Sequence, residues 1–275
     1  MKLKYLIIVF GIIFFIVLFV TALIPFLLGG PQFATNFQYI TFPLLLFMFL
    51  LLIVTSIFFF YNYRLLSLLE REDWPALAYY LEQKVYGKNQ YSNRNVRLLA
   101  SSYLVVTDYV SVLKLENKAL QANPAVIGKN LLLFGSARVL SGNHKEAALF
   151  FKSHLEKGKL SEKDEQWARW YYGFSQLLTG AFKSAGPEFS SLAVSSRDVL
   201  VTGLSSYFLN NSIAKHSDNT DECLAAAESG KIRVKSAVKN ITGWNKDVEK
   251  MKSEIYIAII KKYLDEARQW LFSIA

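Results

Sequence analysis

The chain has 275 residues, 52% of them hydrophobic, and its 31 basic and 22 acidic side chains give a net charge of +9. Its single cysteine, Cys223, excludes a disulfide bond within the chain. The basic side chains are dispersed among acidic ones, so the composition favours an anionic membrane surface or an acidic protein partner over nucleic acid.

The N-terminal region carries no charged side chain between Lys4 and Arg64. It contains two apolar runs, residues 5–28 and 39–61, separated by residues 29–36, which begin Gly-Gly-Pro. Each run exceeds the roughly 20 residues that a helix needs to cross a bilayer core of about 30 Å. The sequence therefore predicts a transmembrane helical hairpin over residues 1–61.

Basic residues flank both apolar runs on the same side of the predicted hairpin. Lys2 and Lys4 precede the first run, and Arg64 and Arg71 follow the second, while the loop between the runs has none. The positive-inside rule then places both termini and the C-terminal domain in the cytoplasm of a bacterial-type inner membrane. Cleavage of a signal peptide near Ala22 is the alternative, and it leaves this orientation unchanged.

After the apolar runs, the sequence predicts an all-α fold with an internal repeat of 34 residues. The segments in register are residues 93–126, 128–161 and 166–199. The eighth position of each segment holds a small residue, which lets two helices cross closely: Ala100, Gly135 and Gly173. The turns between paired helices contain Ser141-Gly142-Asn143 and Thr179-Gly180-Ala181. Such a repeat predicts stacked helix pairs over residues 62–210.

These segments resemble the tetratricopeptide repeat (TPR) family, which implies an α-solenoid. Three positions depart from the pattern of that family. Glu116 stands where a large apolar residue is usual, and Arg138 and Gln176 replace the usual tyrosine.

Two further regions complete the helical interpretation. Before the repeats, residues 62–69 continue the second apolar run, and Asp73 is placed to cap a following helix that has Pro75 in its first turn. After them, residues 221–238 and 244–274 are predicted as helices of a C-terminal cap over residues 211–275. An exposed helix for a partner or a membrane surface is the alternative for this region.

Catalysis requires a cluster of groups that move protons, attack or bind metal, and the sequence offers none. His144, His154 and His216 lack neighbours with the spacing of metal ligands, and no phosphate-binding glycine motif is present. We therefore expect no catalytic residue, metal or cofactor, and predict that the protein is not an enzyme.

The resemblance to TPR proteins implies a concave groove lined by the first helix of each repeat. Carried over to this sequence, positions two, five and nine supply a cationic and hydroxyl-bearing part followed by an aromatic part. The groove predicted in this way comprises Arg94, Arg97, Ser101, Lys129, Leu132, Ser136, Trp167, Trp170 and Phe174. Such a surface suits an acidic peptide or helix with an aromatic or aliphatic anchor.

Together these observations predict a membrane-anchored, non-enzymatic adaptor that binds a protein partner through its groove. The alternative is a structural subunit of a larger inner-membrane complex for secretion, envelope assembly or motility. The apolar runs lack ionisable residues and a clear stripe of small residues, which favours contact with lipid over tight helix packing.

Overall fold

A computed structural model describes the backbone of residues 3–252 and 254–273, and their side chains except at residues 3–8, 10, 18, 22, 24–41 and 45. Every regular element in this part of the chain is a helix, which confirms the all-α prediction. The chain forms two compact units, Met1–Tyr80 and Leu81–Ala275. Residues 211–275 lie in the same unit as the helix pairs.

The first unit is dominated by one helix, α1, which runs from Leu3 to Glu70 without interruption. At 1.5 Å per residue, 68 residues make a helix about 100 Å long. Within the part of α1 whose side chains are described, Phe42–Glu70 is long and apolar enough to cross a membrane, and its most apolar 18-residue window has a mean hydropathy of 2.7 and no buried residue. A shorter apolar stretch covers Gly11–Thr21.

The predicted hairpin is therefore not the structure of this region, because α1 is continuous through it, and the residues whose side chains are described hold one candidate span instead of two. The predicted loop at residues 29–36 is helical. Glycine costs about 1 kcal/mol and proline about 3 kcal/mol in a helix interior. These costs fall on three residues of a helix of 68 residues. The prediction that residues 62–69 continue the apolar helix is confirmed.

Helix α1 ends in a tight turn before α2, Trp74–Glu82. The Asp73 carboxylate accepts a hydrogen bond from the backbone N–H of Ala76 at 3.1 Å, which confirms the predicted cap. Such a bond satisfies one of the donors that a helix leaves free at its N-terminus.

The second unit continues with helices that contact one another in chain order. After a π-helical turn, Gln83–Gly87, they are α3 Asn93–Val105, α4 Tyr109–Ala122, α5 Ala125–Lys129, α6 Leu131–Leu140, α7 His144–Glu156, α8 Glu162–Leu178, α9 Phe182–Ser195, α10 Val199–Phe208 and α11 Thr220–Val238. A second π-helical turn, Leu209–Ile213, follows α10. Contacts join α3 to α4, α6 to α7, α8 to α9 and α10 to α11, and also α4 to α6 and α7 to α8.

Close approach within two of these pairs occurs at the predicted small residues. A Cβ atom at Gly135 would lie 2.0 Å from the Phe151 ring, and one at Gly173 would lie 3.4 Å from the Phe189 ring. At Gly135 the Phe151 ring thus occupies the space that a side chain would need, whereas a Cβ at Gly173 would only touch the Phe189 ring. The turns that join these pairs hold Gly142 and Gly180 at φ of +80° and +77°, where glycine is least strained.

The C-terminal region consists of three helices where the sequence predicted one over residues 244–274. They are α12 Ile241–Lys250, α13 Ile255–Ile259 and α14 Lys261–Phe272. Helix α14 packs on α10, while α13 contacts α3 and α6. Breaks at Met251 and Ile260 let the chain follow the surface of the preceding helices, since one straight helix would leave it. Ile274 lies outside the described residues.

Candidate partner-binding groove

The cationic part of the predicted groove is open to solvent. Arg94 and Arg97 on α3 and Lys129 at the end of α5 are exposed, and Ser101 is half-buried. Arg97 donates a hydrogen bond from Nη2 to the Glu254 carboxylate, with 2.5 Å between nitrogen and oxygen. This part of the chain therefore presents exposed cations, and one of them, Arg97, already binds a carboxylate of the same chain.

The middle of the predicted groove lies in the core. Leu132 is 5% exposed and Ser136 is fully buried on α6. The Ser136 hydroxyl donates to the backbone oxygen of Leu133 at 3.0 Å, so its hydrogen bond is made inside its own helix. The Ser136 side chain is therefore not positioned to recognise a partner in this conformation.

The aromatic part of the predicted groove is also buried. Trp167 and Trp170 on α8 have no exposed surface, and Phe174 is 4% exposed. Trp170 stacks on Phe174 with 4.9 Å between ring centroids, and Phe208 of α10 lies 6.0 Å from Trp170. The expectation of an open aromatic surface at these three residues does not describe this conformation, because large rings adjoining other apolar helices are removed from water.

Part of this cover comes from the chain's own C-terminal region. The Tyr256 ring meets Trp167 edge to face at a centroid distance of 5.9 Å, and Tyr263 meets Phe174 at 5.3 Å. The Tyr171 hydroxyl donates to the backbone oxygen of Tyr256 at 2.5 Å. We call residues Glu254–Ile260 the α13 segment. It carries an acidic residue followed by aromatic and aliphatic ones.

The polar partners of the groove were not found from the sequence. The Trp167 indole N–H donates to the Asp198 carboxylate at 3.0 Å, and the same carboxylate caps α10 by accepting from the N–H of Leu200. Gln166 Oε1 accepts hydrogen bonds from three groups in the turn after α9: Ser196 Oγ, Arg197 N and Asp198 N. No spacing rule links residues about 30 positions apart, so only the fold reveals these contacts.

A cavity of about 80 Å³ adjoins the ion pair between Arg97 and Glu254. Its other charged lining residues are Lys129, Lys163 and Asp164, and Leu132 supplies part of its apolar wall. A cavity of this volume holds a carboxylate or a few water molecules. Because cations are in excess around it, the cavity favours an anionic group.

Burial alters the acidity of the tyrosines around this surface. The pKa of Tyr256 is raised, first by burial and then by the nearby Glu254 and Asp164 carboxylates. Burial also raises the pKa of Tyr171. Both hydroxyls stay protonated at neutral pH, so Tyr171 acts here as a hydrogen-bond donor.

The departures from the TPR pattern at Glu116 and Arg138 compensate each other. Arg138 donates from Nη1 and Nη2 to the two Glu116 oxygens at 2.6 and 3.1 Å. Its guanidinium also lies 4.2 Å from the centre of the Phe150 ring. The pair joins α4 to α6, and the unusual residues are thus partners in one contact between successive pairs.

No group of three or more His, Cys, Asp or Glu side chains within the described part of the chain is placed to hold a metal. His154 donates from Nδ1 to the backbone oxygen of Phe150 at 2.9 Å. His216 stacks on Phe182 at 4.1 Å. Both histidines therefore make structural contacts with neighbouring side chains or backbone.

The fold and this surface define an all-α protein in which an apolar N-terminal helix precedes a unit of packed helix pairs. Residues 111–273, more than half of the chain, match the model of a family described as "Uncharacterised Treponema protein", and the chain belongs to this family. A protein of Treponema pallidum (strain Nichols) is 28% identical over 235 residues, which are 83% of this chain and 74% of that protein. No solved structure matches the chain.

Proposed function

We propose that this protein is a membrane-anchored adaptor, in which a TPR-like solenoid recruits a protein partner to the membrane surface. The observation that carries the proposal is the chemistry of the groove. Its exposed cationic part, on α3 and α5, lies beside an acidic and aromatic segment held by Arg97, Trp167 and Tyr171. A partner segment that binds there needs the same acidic and aromatic side chains.

Three contacts support the TPR-like interpretation of the helix pairs. Gly135 faces Phe151 and Gly173 faces Phe189, which are the eighth and twenty-fourth positions of their segments. Glu116, at the twenty-fourth position of the first segment, pairs with Arg138, at the eleventh position of the second. The register read from the sequence therefore corresponds to physical contacts within and between pairs.

Anchoring supports the proposal through the candidate span Phe42–Glu70. The basic residues Arg64 and Arg71 at its C-terminal end favour a cytoplasmic C-terminal domain by the positive-inside rule. Because one candidate span takes the place of the predicted hairpin, the proposal assigns the C-terminal domain to a side of the membrane. It does not assign the N-terminus to a side. Confinement to a membrane raises the effective concentration of the groove for partners at the same surface.

Site-specific photo-crosslinking in intact membranes tests the proposal. A photoreactive residue replaces Arg94 in the cationic part of the groove, and the matched control replaces Leu149, which is 69% exposed on α7. The proposal predicts one defined crosslinked product from position 94. The yield of this product from position 149 should be at least tenfold lower, and the product should be lost when Arg97 is changed to Glu. Equal crosslinking at both positions, or none at either, would contradict it.

A further inference from the structure

The α13 segment fills the place in which the adaptor proposal seats a partner. Glu254 binds Arg97, Tyr256 packs on Trp167, and Tyr171 holds the backbone of the segment. Tyr256, Ile257 and Ile260 are each 5% exposed or less. The protein thus supplies its own example of an acidic residue followed by aromatic and aliphatic anchors.

The attachment of the α13 segment to the rest of the unit differs from that of α14. Helix α13 has five residues, and the backbone leaves helical geometry on both sides, at Glu254 and at Ile260. Helix α14 has twelve residues and packs Leu264, Ala267 and Leu271 into the core. The short segment therefore has few hydrogen bonds of its own helix and a break at each end, so its attachment depends on its side-chain contacts and on the hydrogen bond from Tyr171.

The cavity beside the ion pair holds more positive charge than the α13 segment neutralises. Arg97, Lys129 and Lys163 line it together with Asp164 and Glu254. Among the described residues, neither lysine takes part in an ion pair. When Glu254 leaves, one carboxylate remains against three cations, so the emptied site carries a net charge of +2 and attracts an acidic segment.

We infer that a partner protein binds here through an acidic segment that displaces the α13 segment. One partner carboxylate takes the place of Glu254 on Arg97, an aromatic side chain takes the place of Tyr256 on Trp167, and a second carboxylate enters the cavity between Lys129 and Lys163. This inference rests on the proposed adaptor function.

The second carboxylate is needed because the α13 segment competes from within the same chain. A tethered segment has an effective concentration on the order of millimolar. A partner that only reproduced the contacts of Glu254 and Tyr256 would lose that competition at cellular concentrations. A carboxylate held by the two unpaired lysines supplies a contact that the α13 segment lacks, and charge-assisted hydrogen bonds are among the strong ones.

Fluorescence anisotropy with a labelled peptide tests the inference on the full chain in lipid nanodiscs. The probe has the sequence of residues 252–260 with two aspartates added at its N-terminus. Tyr256→Ala weakens the internal competitor without changing the receiving surface, and we expect it to bind the probe at least tenfold more tightly than the unmodified protein. Adding Arg97→Glu should remove that gain, while Leu149→Ala alone should leave binding unchanged. Equal affinities for Tyr256→Ala and the unmodified protein would overturn the inference.

Hydrogen exchange on the unmodified protein provides a test that does not depend on a variant. Saturating probe should raise amide exchange in residues 255–260 at least tenfold and leave α14 unchanged. Unchanged protection of residues 255–260 with the probe bound would overturn displacement. If displacement failed but position 94 still crosslinked to a partner, the adaptor proposal would stand without displacement of the α13 segment. Absence of crosslinks at positions 94 and 149 would reject the adaptor proposal itself.

Discussion

The two halves of the C-terminal unit are joined by different chemistry. Between α2 and α6, successive pairs share polar contacts in addition to buried apolar side chains: Tyr103 donates to Glu82 at 2.6 Å, and Arg138 donates to Glu116. From α8 onward they meet through rings, with Trp170 among Phe174, Phe189 and Phe208. The two glutamates lie 34 residues apart, so the polar contacts occupy equivalent positions in the repeat.

The two halves also differ in how the C-terminal helices pack over them. Over the aromatic half, α12 and α14 pack on α10 and close the surface with apolar side chains. Over the polar half, the short α13 contacts α3 and α6, and the cations beside it stay exposed. The same repeat thus supports a sealed core at one end and a surface for recognition at the other.

The largest loss of stability is expected from Trp170→Ala, which removes a large side chain from the core of the aromatic half. Removing a fully buried tryptophan leaves a large cavity, and such changes cost about 3–5 kcal/mol. Chemical denaturation followed by circular dichroism measures the loss. The matched control is Leu149→Ala, an apolar truncation at an exposed site, which should cost less than about 0.5 kcal/mol. A loss below 1 kcal/mol for Trp170→Ala would show that the aromatic half is not the core of the unit.

The next largest change in stability is expected from replacing the ion pair between Glu116 and Arg138 with apolar side chains. Glu116→Leu alone strands the Arg138 guanidinium, which is 17% exposed, and should cost about 3 kcal/mol. The double change Glu116→Leu with Arg138→Met should restore most of that loss, since a well-packed apolar pair often replaces a buried ion pair without cost. A double-mutant cycle by denaturation measures the coupling. Additive losses would mean that the two residues do not act as one contact.

Tyr103→Phe should have a smaller effect that depends on pH. Burial and the Glu82 carboxylate raise the pKa of Tyr103 above its value of about 10 in the unfolded chain. The neutral hydroxyl is therefore favoured by folding, and its contribution is present below pH 10 and lost as pH rises above it. At pH 7 the change should cost about 1.5 kcal/mol, as for a hydrogen bond to a charged group.

Denaturation of Tyr103→Phe and the unmodified protein between pH 7 and 11 measures this dependence. The variant should lose less stability above pH 10, because it has one fewer tyrosine that resists ionisation in the folded state. Identical alkaline slopes would exclude Tyr103 as a contributor. Tyr207, whose pKa burial and Glu266 raise to about 12, adds to the remaining slope in both proteins.

The smallest effect is expected from surface charges that belong to neither kind of contact. Arg169→Ala removes an ion pair with Glu165 in which both side chains are more than 40% exposed. Exposed pairs of this kind contribute less than about 0.5 kcal/mol. A thermal shift above 2 °C for this variant would indicate a structural role that the exposed geometry does not provide.

The sequence predicted local features better than distant contacts. The Asp73 cap and the glycine crossings at 135 and 173 depend on neighbouring residues, and each is present in the structure. The hairpin failed because a Gly-Gly-Pro break is only a local cost that a long apolar helix overcomes. The buried state of Trp167 depends in part on Tyr256, 89 positions later, and no periodicity reports such a contact.

The side of the membrane on which the helical unit lies tests the adaptor account most directly. A tag after Ala275 is followed in intact spheroplasts treated with protease, before and after lysis. The account predicts that the tag and the helical unit are protected until lysis, as a cytoplasmic domain behind the span Phe42–Glu70 requires. Digestion of the unit in intact spheroplasts would contradict the account and place its partner outside the cytoplasm.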